Sequence, residues 1–274
     1  MTIEVSSNII RSAIDDLSPD YIVSMVSGGK DSACSHAVAV ETLEDMGRKV
    51  DLIIHGNTRC GIPETSQFVQ EHYGTGSIDY AVADAGTAYE DYVLRKGFFG
   101  RGYDAHAYAY RILKAGPFRK VVSAKLRQRR RGVRVLLLNG ARQDESENRR
   151  KNLQIRREDP AATNNIWVSN IFNWSERDRD DYLASRNIPI NPVATQLCRS
   201  GECMCGTMQS PQERAEAAAL YPGWGKWLAD LEAEALALHG LKWGEPSSAW
   251  RNPAQQDLFQ PMCSDCTKEG HEHE

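Results

Sequence analysis

Nowhere does the sequence stay apolar for the length of a membrane span, so no bilayer crossing is expected. Its first residues include Glu4, Asp15 and Asp16 and lack the apolar stretch of a secretory leader, and a cytoplasmic location is expected. An excess of one charge is also missing. The 33 basic and 37 acidic residues leave a net charge of -4, which does not by itself mark a partner for DNA, RNA or an anionic membrane. No internal repeat is present, which excludes a solenoid or propeller built from stacked units. The seven cysteines are an odd number and five of them follow residue 197. Without a leader, that clustering favours metal or redox chemistry over a disulfide framework.

What is present suits a soluble enzyme-sized chain. The 274 residues suffice for one large α/β domain and a smaller appendage, and 41% hydrophobic with 26% charged residues is ordinary for a globular protein. Arg127, Arg129, Arg130, Arg131 and Arg134 crowd one short stretch. It reads either as a solvated helix end or as a nucleic-acid patch.

Strand and helix patterns alternate. Residues 21–26 are apolar and rich in β-branched side chains, a buried strand. A helix is expected over 31–46, stopped by Gly47, then a strand over 50–55. Pro63 opens a helix to Tyr73, with Glu64 just inside it. Strands follow at 78–83 and 133–138, with a short one at 166–168. Between them lies a helical region, 87–131, with a break expected at Gly116-Pro117. Helices are expected over 146–153 and over 175–186, the latter capped by Ser175. Residues 190–210 look irregular, and 215–238 helical with a break at Pro222-Gly223. This rhythm predicts a mostly parallel sheet with helices on both faces.

The motif Ser27-Gly28-Gly29-Lys30-Asp31-Ser32 falls where the first strand turns into its helix. A strand entering a helix aims the unpaired first-turn amides at one point, an anion site. Gly28 and Gly29 admit phosphate close to backbone, Ser27 and Ser32 can donate hydroxyl hydrogen bonds, and Lys30 adds a compact positive charge. Asp31 can N-cap the helix or help hold Mg²⁺. A glycine turn capped by Asp and Ser would explain Gly28, Gly29 and Asp31, but not Lys30 between two serines. The spacing is neither that of a Walker loop nor the G-x-G-x-x-G of dinucleotide binders.

With this motif the sequence resembles the PP-loop ATP pyrophosphatase superfamily, marked by SGG-x-DS after the first strand. Further segments are similar to phosphoadenosine phosphosulfate (PAPS) reductases and their relatives. Asn57-Thr58 with Ile62-Pro63-Glu64-Thr65 is similar to their "TG…FPET" segment. Gly140-Ala141-Arg142 with Glu145-Ser146 and Arg149 is similar to "GxRxxES…R". Asn173-Trp174-Ser175, Asp178, Tyr182 and Pro189-Ile190-Asn191-Pro192 are similar to "W-T-x-x-D…Y…P-x-N-P". The order covers roughly residues 20 to 195. The resemblance implies a Rossmann-like adenine nucleotide α-hydrolase fold. It places the PP-loop nucleotide-binding domain at 1–195 and a cysteine-containing helical region at 196–274. It also implies that Asn57, Thr58, Glu64, Thr65, Gly140, Arg142, Glu145 and Arg149 lie at the nucleotide with the loop, and that Lys30, Asp31 and Arg142 serve catalysis. Glu64 and Thr65 also suit plain helix capping, and Glu145 with Arg149 a plain i,i+4 ion pair.

Two departures from the reductases bear on the reaction. Their C-terminal E-C-G-L-H segment is absent; the tail reads Pro261-Met262-Cys263-Ser264-Asp265-Cys266. Lys114-Ala115-Gly116-Pro117 matches a K-x-x-P segment, but Ala109-Tyr110 stands where a Cys-Cys pair precedes it in cluster-bearing reductases. Adenylyl transfer with pyrophosphate release in a sulfur-transfer pathway therefore ranks first. Sulfite-forming reduction of a sulfonucleotide ranks second, and a non-catalytic nucleotide-binding module third. Expected ligands are ATP or a PAPS-type nucleotide and Mg²⁺. Cys198, Cys203, Cys205, Cys263 and Cys266 suit a 4Fe-4S cluster or a tetrahedral zinc site, four of the five serving as ligands, or else remain free thiols. Cys34 is read as core and Cys60 as a passive loop position. His271 and His273 alternate with Glu272 and Glu274 at the tail. A nucleic-acid acceptor, a sulfur-donor protein and a homodimer remain open.

Overall fold

The computed structural model describes residues 2–127 and 132–244. Arg129, Arg130, Arg131, Cys263, Cys266, His271 and His273 lie outside them. The chain divides into two compact units, Met1–Gly56 with Glu64–Ala83 and Phe118–Glu202, and Asn57–Pro63 with Asp84–Pro117 and Cys203–Glu274.

The first unit is built on a six-stranded sheet. Helix α1 (Thr2–Leu17) precedes strand β1 (Tyr21–Val26). Then come α2 (Lys30–Asp45), β2 (Leu52–Asn57), α3 (Pro63–Tyr73) and β3 (Tyr80–Asp84). The strand order β3-β2-β1-β4-β6-β5 takes in β4 (Val135–Asn139), β5 (Arg156–Asp159) and β6 (Ala162–Ser169). β1 pairs parallel with β2 and β4, and β4 with β6; β5 runs antiparallel to β6.

Strict alternation along the strands makes two buried faces. Ile22, Val26, Ile53, Leu136, Leu138 and Val168 meet the apolar stripes of α1 and α2 in one core. Val23, Leu52, Ile54, Val135, Leu137 and Trp167 form the other, with Phe118 and Val122. Burial on both faces explains why these strands read as unbroken apolar runs rather than alternating ones. In α1, Ile10, Ala13 and Ile14 recur at helical spacing and are buried, an amphipathic signal the N-terminal reading passed over.

In the second unit, α4 (Ala88–Lys96) and α5 (Tyr103–Tyr110) share a core with α11 (Pro222–His239), centred on Tyr89, Val93, Phe99, Leu113, Leu231 and Ala235. The short α6 (Gly116–Val122) continues α5 through a π-helical turn, Arg111–Ala115, with no break at Gly116-Pro117. Gly116 keeps helical angles and its amide donates to the Arg111 carbonyl, five residues back. Widening the turn in this way accommodates a proline that lacks an N–H and would crowd the preceding turn. The break falls at residues 97–102 instead, where Gly97 and Gly102 have positive φ.

The remaining helices are α7 (Glu147–Asn152), α8 (Glu176–Ser185), α9 (Pro192–Gln196) and α10 (Pro211–Leu220). Ser175 caps α8 in a reciprocal box with Asp178, and Ser146 caps α7. Helix α9 lies in the stretch expected to be irregular; Asn191 caps it and Pro192 opens it. β6 is longer than its apolar centre suggested because Ala162 to Asn165 extend it against β5. Among the described residues, no helix is long and apolar enough to cross a membrane.

Helix α2 is seated on β1 through His36, whose Nδ1 lies 2.9 Å from Ser24 Oγ. Its ring meets Tyr73 edge-on. Burial holds the imidazole neutral, down at about 4. The unfolded chain would protonate this residue first as pH falls, near 6.5. His36 therefore withdraws stability between pH ~6.5 and ~4, by up to about 1.4 kcal/mol per pH unit. Urea denaturation across that window should show a shallower loss in His36→Asn than in the parent; equal slopes would refute the assignment.

Candidate functional site

The strand order reverses between β1 and β4, so the loops leaving their carboxyl ends face one crevice. Those loops carry Ser27 to Lys30 and Gly140 to Arg142.

The first loop is tightly tied. Ser32 Oγ accepts from Ser27 N and Ser27 Oγ, both at 3.1 Å, and donates to the Gly29 carbonyl at 2.9 Å. Gly28 has a φ of +76°, and a β-carbon there would stand 2.8 Å from Thr65 Cγ2. Thr65 Oγ1 donates to the Ser200 carbonyl at 2.7 Å and accepts from Asn191 Nδ2 at 3.2 Å, so α3 and the 189–200 segment clasp the loop. Gly29 occupies the N-cap position of α2 and supplies no side-chain cap. The first-turn amides of α2 thus have neither an intrahelical nor a capping acceptor, the local condition for an anion site. Asp31 is not the cap, as its sequence context allowed; it sits one residue inside the helix.

Asp31 bridges two buried guanidinium groups instead. Arg142 Nε donates to its Oδ1 at 2.6 Å and Arg179 Nη1 to the same oxygen at 3.2 Å. Arg142 also donates to the Trp174 carbonyl at 3.2 Å. Arg179 Nε reaches Asp180 at 2.8 Å, and Lys30 Nζ lies 3.3 Å from the other oxygen of Asp180. Lys30, Asp180, Arg179, Asp31 and Arg142 therefore form one continuous charge chain. The Asp180 carboxyl is held below its usual range by Arg179 and Lys30 despite the opposing effect of burial, the largest single influence on it. Gly140 completes the contact: a β-carbon there would overlap the Asp31 carbonyl, so only glycine lets the β4 loop lie on the first turn of α2.

Glu145 receives the Arg142 amide at 2.8 Å and pairs with Arg149 at 2.8 Å, the i,i+4 pair that spacing allows. Burial is the main cause of its raised carboxyl pKa. Glu64 is exposed at the start of α3. A recess beside the loop is lined by Gly28, Gly29, Lys30, Ala33, Phe68 and Tyr73, among others.

Asn57 ends β2, its Oδ1 accepting from the Arg59 amide, and Thr58 is buried beside Cys60; both belong to the second unit. Cys198 is exposed in the first unit, at φ +53°. Cys203 and Cys205 are free thiols of the second unit. Among the described residues, no three His, Cys, Asp or Glu side chains are grouped in a form ready to hold a metal ion.

Two residues of the first unit were missed from sequence. Arg179 hides in the charged run Glu176-Arg177-Asp178-Arg179-Asp180-Asp181, which reads as a solvated face. The available signal was its spacing from Tyr182 and Leu183, which share its buried stripe. His55, buried in β2, links the Val26 carbonyl to Ser66 Oγ.

Exchanging Asp31 for Asn removes the one charge that Arg142 and Arg179 share. Asp31 is 29% exposed, so the loss should be roughly 1–3 kcal/mol, below the ~3–5 of a fully buried pair. Denaturant unfolding checks it, and an unchanged midpoint would show the bridge to be incidental.

Residues 21–208 match the phosphoadenosine phosphosulfate reductase domain. Among solved structures, the chain is similar to the PAPS reductase from Candida auris in its phosphate complex. Identity is 14%, with 69% of this chain and 83% of that one covered at a TM-score of 0.46. It is also similar to the U34-tRNA thiolase NcsA from Methanococcus maripaludis with its 4Fe-4S cluster. There identity is 13%, with 94% and 89% covered at a TM-score of 0.44. No curated protein matches the sequence.

Proposed function

The chain belongs to the phosphoadenosine phosphosulfate reductase domain family, and from that premise we propose that it is a PP-loop enzyme of sulfur metabolism that transfers the adenylyl group of ATP, or of a close relative, with release of pyrophosphate. The observation that carries this reading is the uncapped start of α2 behind Ser27-Gly28-Gly29-Lys30-Asp31-Ser32. A recess beside these amides, lined by Gly28, Gly29 and Lys30, gives an anion access to the loop.

In this mechanism the loop acts electrostatically. The first-turn amides and Lys30 bind the β- and γ-phosphates and stabilise the charge that builds as the bond to the α-phosphorus breaks. An acceptor oxygen attacks the α-phosphorus, forms the P–O bond and expels pyrophosphate. Sulfur or nitrogen then displaces AMP from the adenylylated acceptor. Magnesium, when bound with the polyphosphate, would neutralise part of its charge. Asp31 is the carboxylate nearest the loop, and its Oδ1 is already shared by two guanidinium groups, so the residues suit a metal carried chiefly by the phosphates. Arg142 and Arg179 act as braces that hold Asp31, and with it the first turn, in place.

A second reading, reduction of a sulfonucleotide to sulfite, is favoured by the matched domain itself. The two separate cleanly. With ATP and Mg²⁺ the protein should release pyrophosphate when its acceptor is supplied, or slowly to water. Lys30→Ala should lower that rate by about a hundredfold or more, the scale of losing one charge-stabilising donor. Sulfite from a sulfonucleotide plus a thiol donor, with no pyrophosphate from ATP, would establish the reductase instead. Tight nucleotide binding with neither product would mark a binding module.

A further inference from the structure

The second unit brings Cys60 together with Cys203 and Cys205, which lie far along the sequence from it. Cys60 is fully buried, Cys205 nearly so and Cys203 half-buried, and all three belong to one core with Tyr89, Phe99, Leu113 and Leu231. The sulfur of Cys203 is in hydrogen-bond contact with the thiols of both Cys60 and Cys205. Thr58 Oγ1 lies 3.4 Å from Cys60 Sγ, and Thr207 Oγ1 3.3 Å from Cys205 Sγ. Tyr89 donates to the Cys205 carbonyl and Trp224 to the Cys60 carbonyl, which fixes both backbones.

A second, independent feature stands beside the thiols. Arg214 is 6% exposed, and its Nη1 and Nη2 are buried without a hydrogen-bond partner. Its guanidinium is held over the rings of Phe98 and Trp243, 5.2 and 4.2 Å from their centroids. Gly206 permits this placement. Its φ is +88°, and a β-carbon there would stand 2.9 Å from Arg214 Nη1 and overlap Trp243 Nε1. Among the groups whose charge acts on Arg214 are Tyr89, Glu232 and Cys60. The charge of Lys114 acts on Cys203. The Glu232 charge reaches this cation, but no carboxylate stands at hydrogen-bond distance from its two terminal nitrogens, so an anionic centre beside it would be stabilised.

We propose that Cys60, Cys203 and Cys205 are ligands of one thiolate-bound metal centre, zinc or an iron–sulfur cluster, with Arg214 as its buried counter-charge. Three thiolates on a centre of charge +2 carry a net charge of −1, which the guanidinium balances. All-sulfur donors suit these thiophilic centres. The three sulfurs contact one another rather than standing around a common centre, and metal binding would draw them onto it. Binding expels the protons and the metal takes their place. Cys60, which reads from sequence as a passive loop residue, becomes a ligand, and Cys198, which is exposed, does not.

The full chain is purified without oxygen, its zinc and iron are measured by elemental analysis, and its visible spectrum is recorded. About one centre per chain is expected in the parent and in Cys198→Ser, and more than about tenfold less in Cys60→Ser and Cys203→Ser. Arg214→Met should retain the centre about tenfold more weakly against a chelator, the usual scale for an outer partner of a metal site. Broad visible absorption with iron and sulfide identifies a cluster, and a colourless protein with zinc the mononuclear site. If the variants fail to fold, alkylation of the parent before and after chelation reads the same question, since Cys60, Cys203 and Cys205 should become modifiable together. A Cys60→Ser protein that keeps its metal would overturn the proposal. So would metal content that tracks Cys198, or a parent that stays metal-free after incubation with zinc and after reconstitution with iron and sulfide. None of these readouts depends on pyrophosphate release, so this centre and the nucleotide reading fail separately.

Discussion

The Asp31 carboxylate, shared between Arg142 and Arg179, is the joint on which the phosphate loop depends. It sits in the first turn of α2 and is reached from β4's loop on one side and from α8 on the other. Anion recognition by a helix start needs amides fixed in direction, because a backbone free to turn would lose much of its alignment when a ligand arrived. The two guanidinium groups supply that rigidity without using the amides themselves.

The same joint explains the role of small residues around it. Gly140 lets one backbone lie on another where a side chain would overlap the Asp31 carbonyl, and Gly28 turns the loop against Thr65. The serines act as internal ties, since Ser32 Oγ binds Ser27 and the Gly29 carbonyl. The motif is therefore a folded object before it is a binding one. Its serines hold the turn, its glycines permit close approach, and Lys30 is steadied by Asp180.

Much of this was legible in sequence, for a physical reason. Strands buried on both faces leave continuous apolar runs, so β1 and β4 stand out, and the glycine-rich turn between β1 and α2 is visible as a break in pattern. Helix starts are legible where a polar cap exists, as at Ser175. What failed to show depends on distance in sequence or on local compensation. Arg179 looks like surface because its partners Asp31 and Asp180 sit on different elements. Pro117 looks like a stop because a π-helical turn that absorbs it has no residue signature. β5 is short and mostly polar, and only its pairing with β6 makes it a strand. Cys60 lies more than a hundred residues from Cys203, and no spacing rule spans that gap.

Buried guanidinium groups occur in two different environments in this protein, and the contrast bears on what each unit needs. Arg142 and Arg179 are matched by protein carboxylates, so their charge is answered within the chain, and in the proposed function the anion is left to the amides and Lys30. Arg214 lies over two aromatic rings, and apart from the nearby Tyr89 hydroxyl its two terminal nitrogens meet no hydrogen-bonding group. Cation–π attraction offsets part of the desolvation of a guanidinium but supplies no counter-charge. Glu232 supplies charge from beyond hydrogen-bond distance, and the three neighbouring sulfurs would add to it as ligands of a metal. In the proposed centre the metal would displace the thiol protons and leave a residual negative charge that Arg214 is placed to meet.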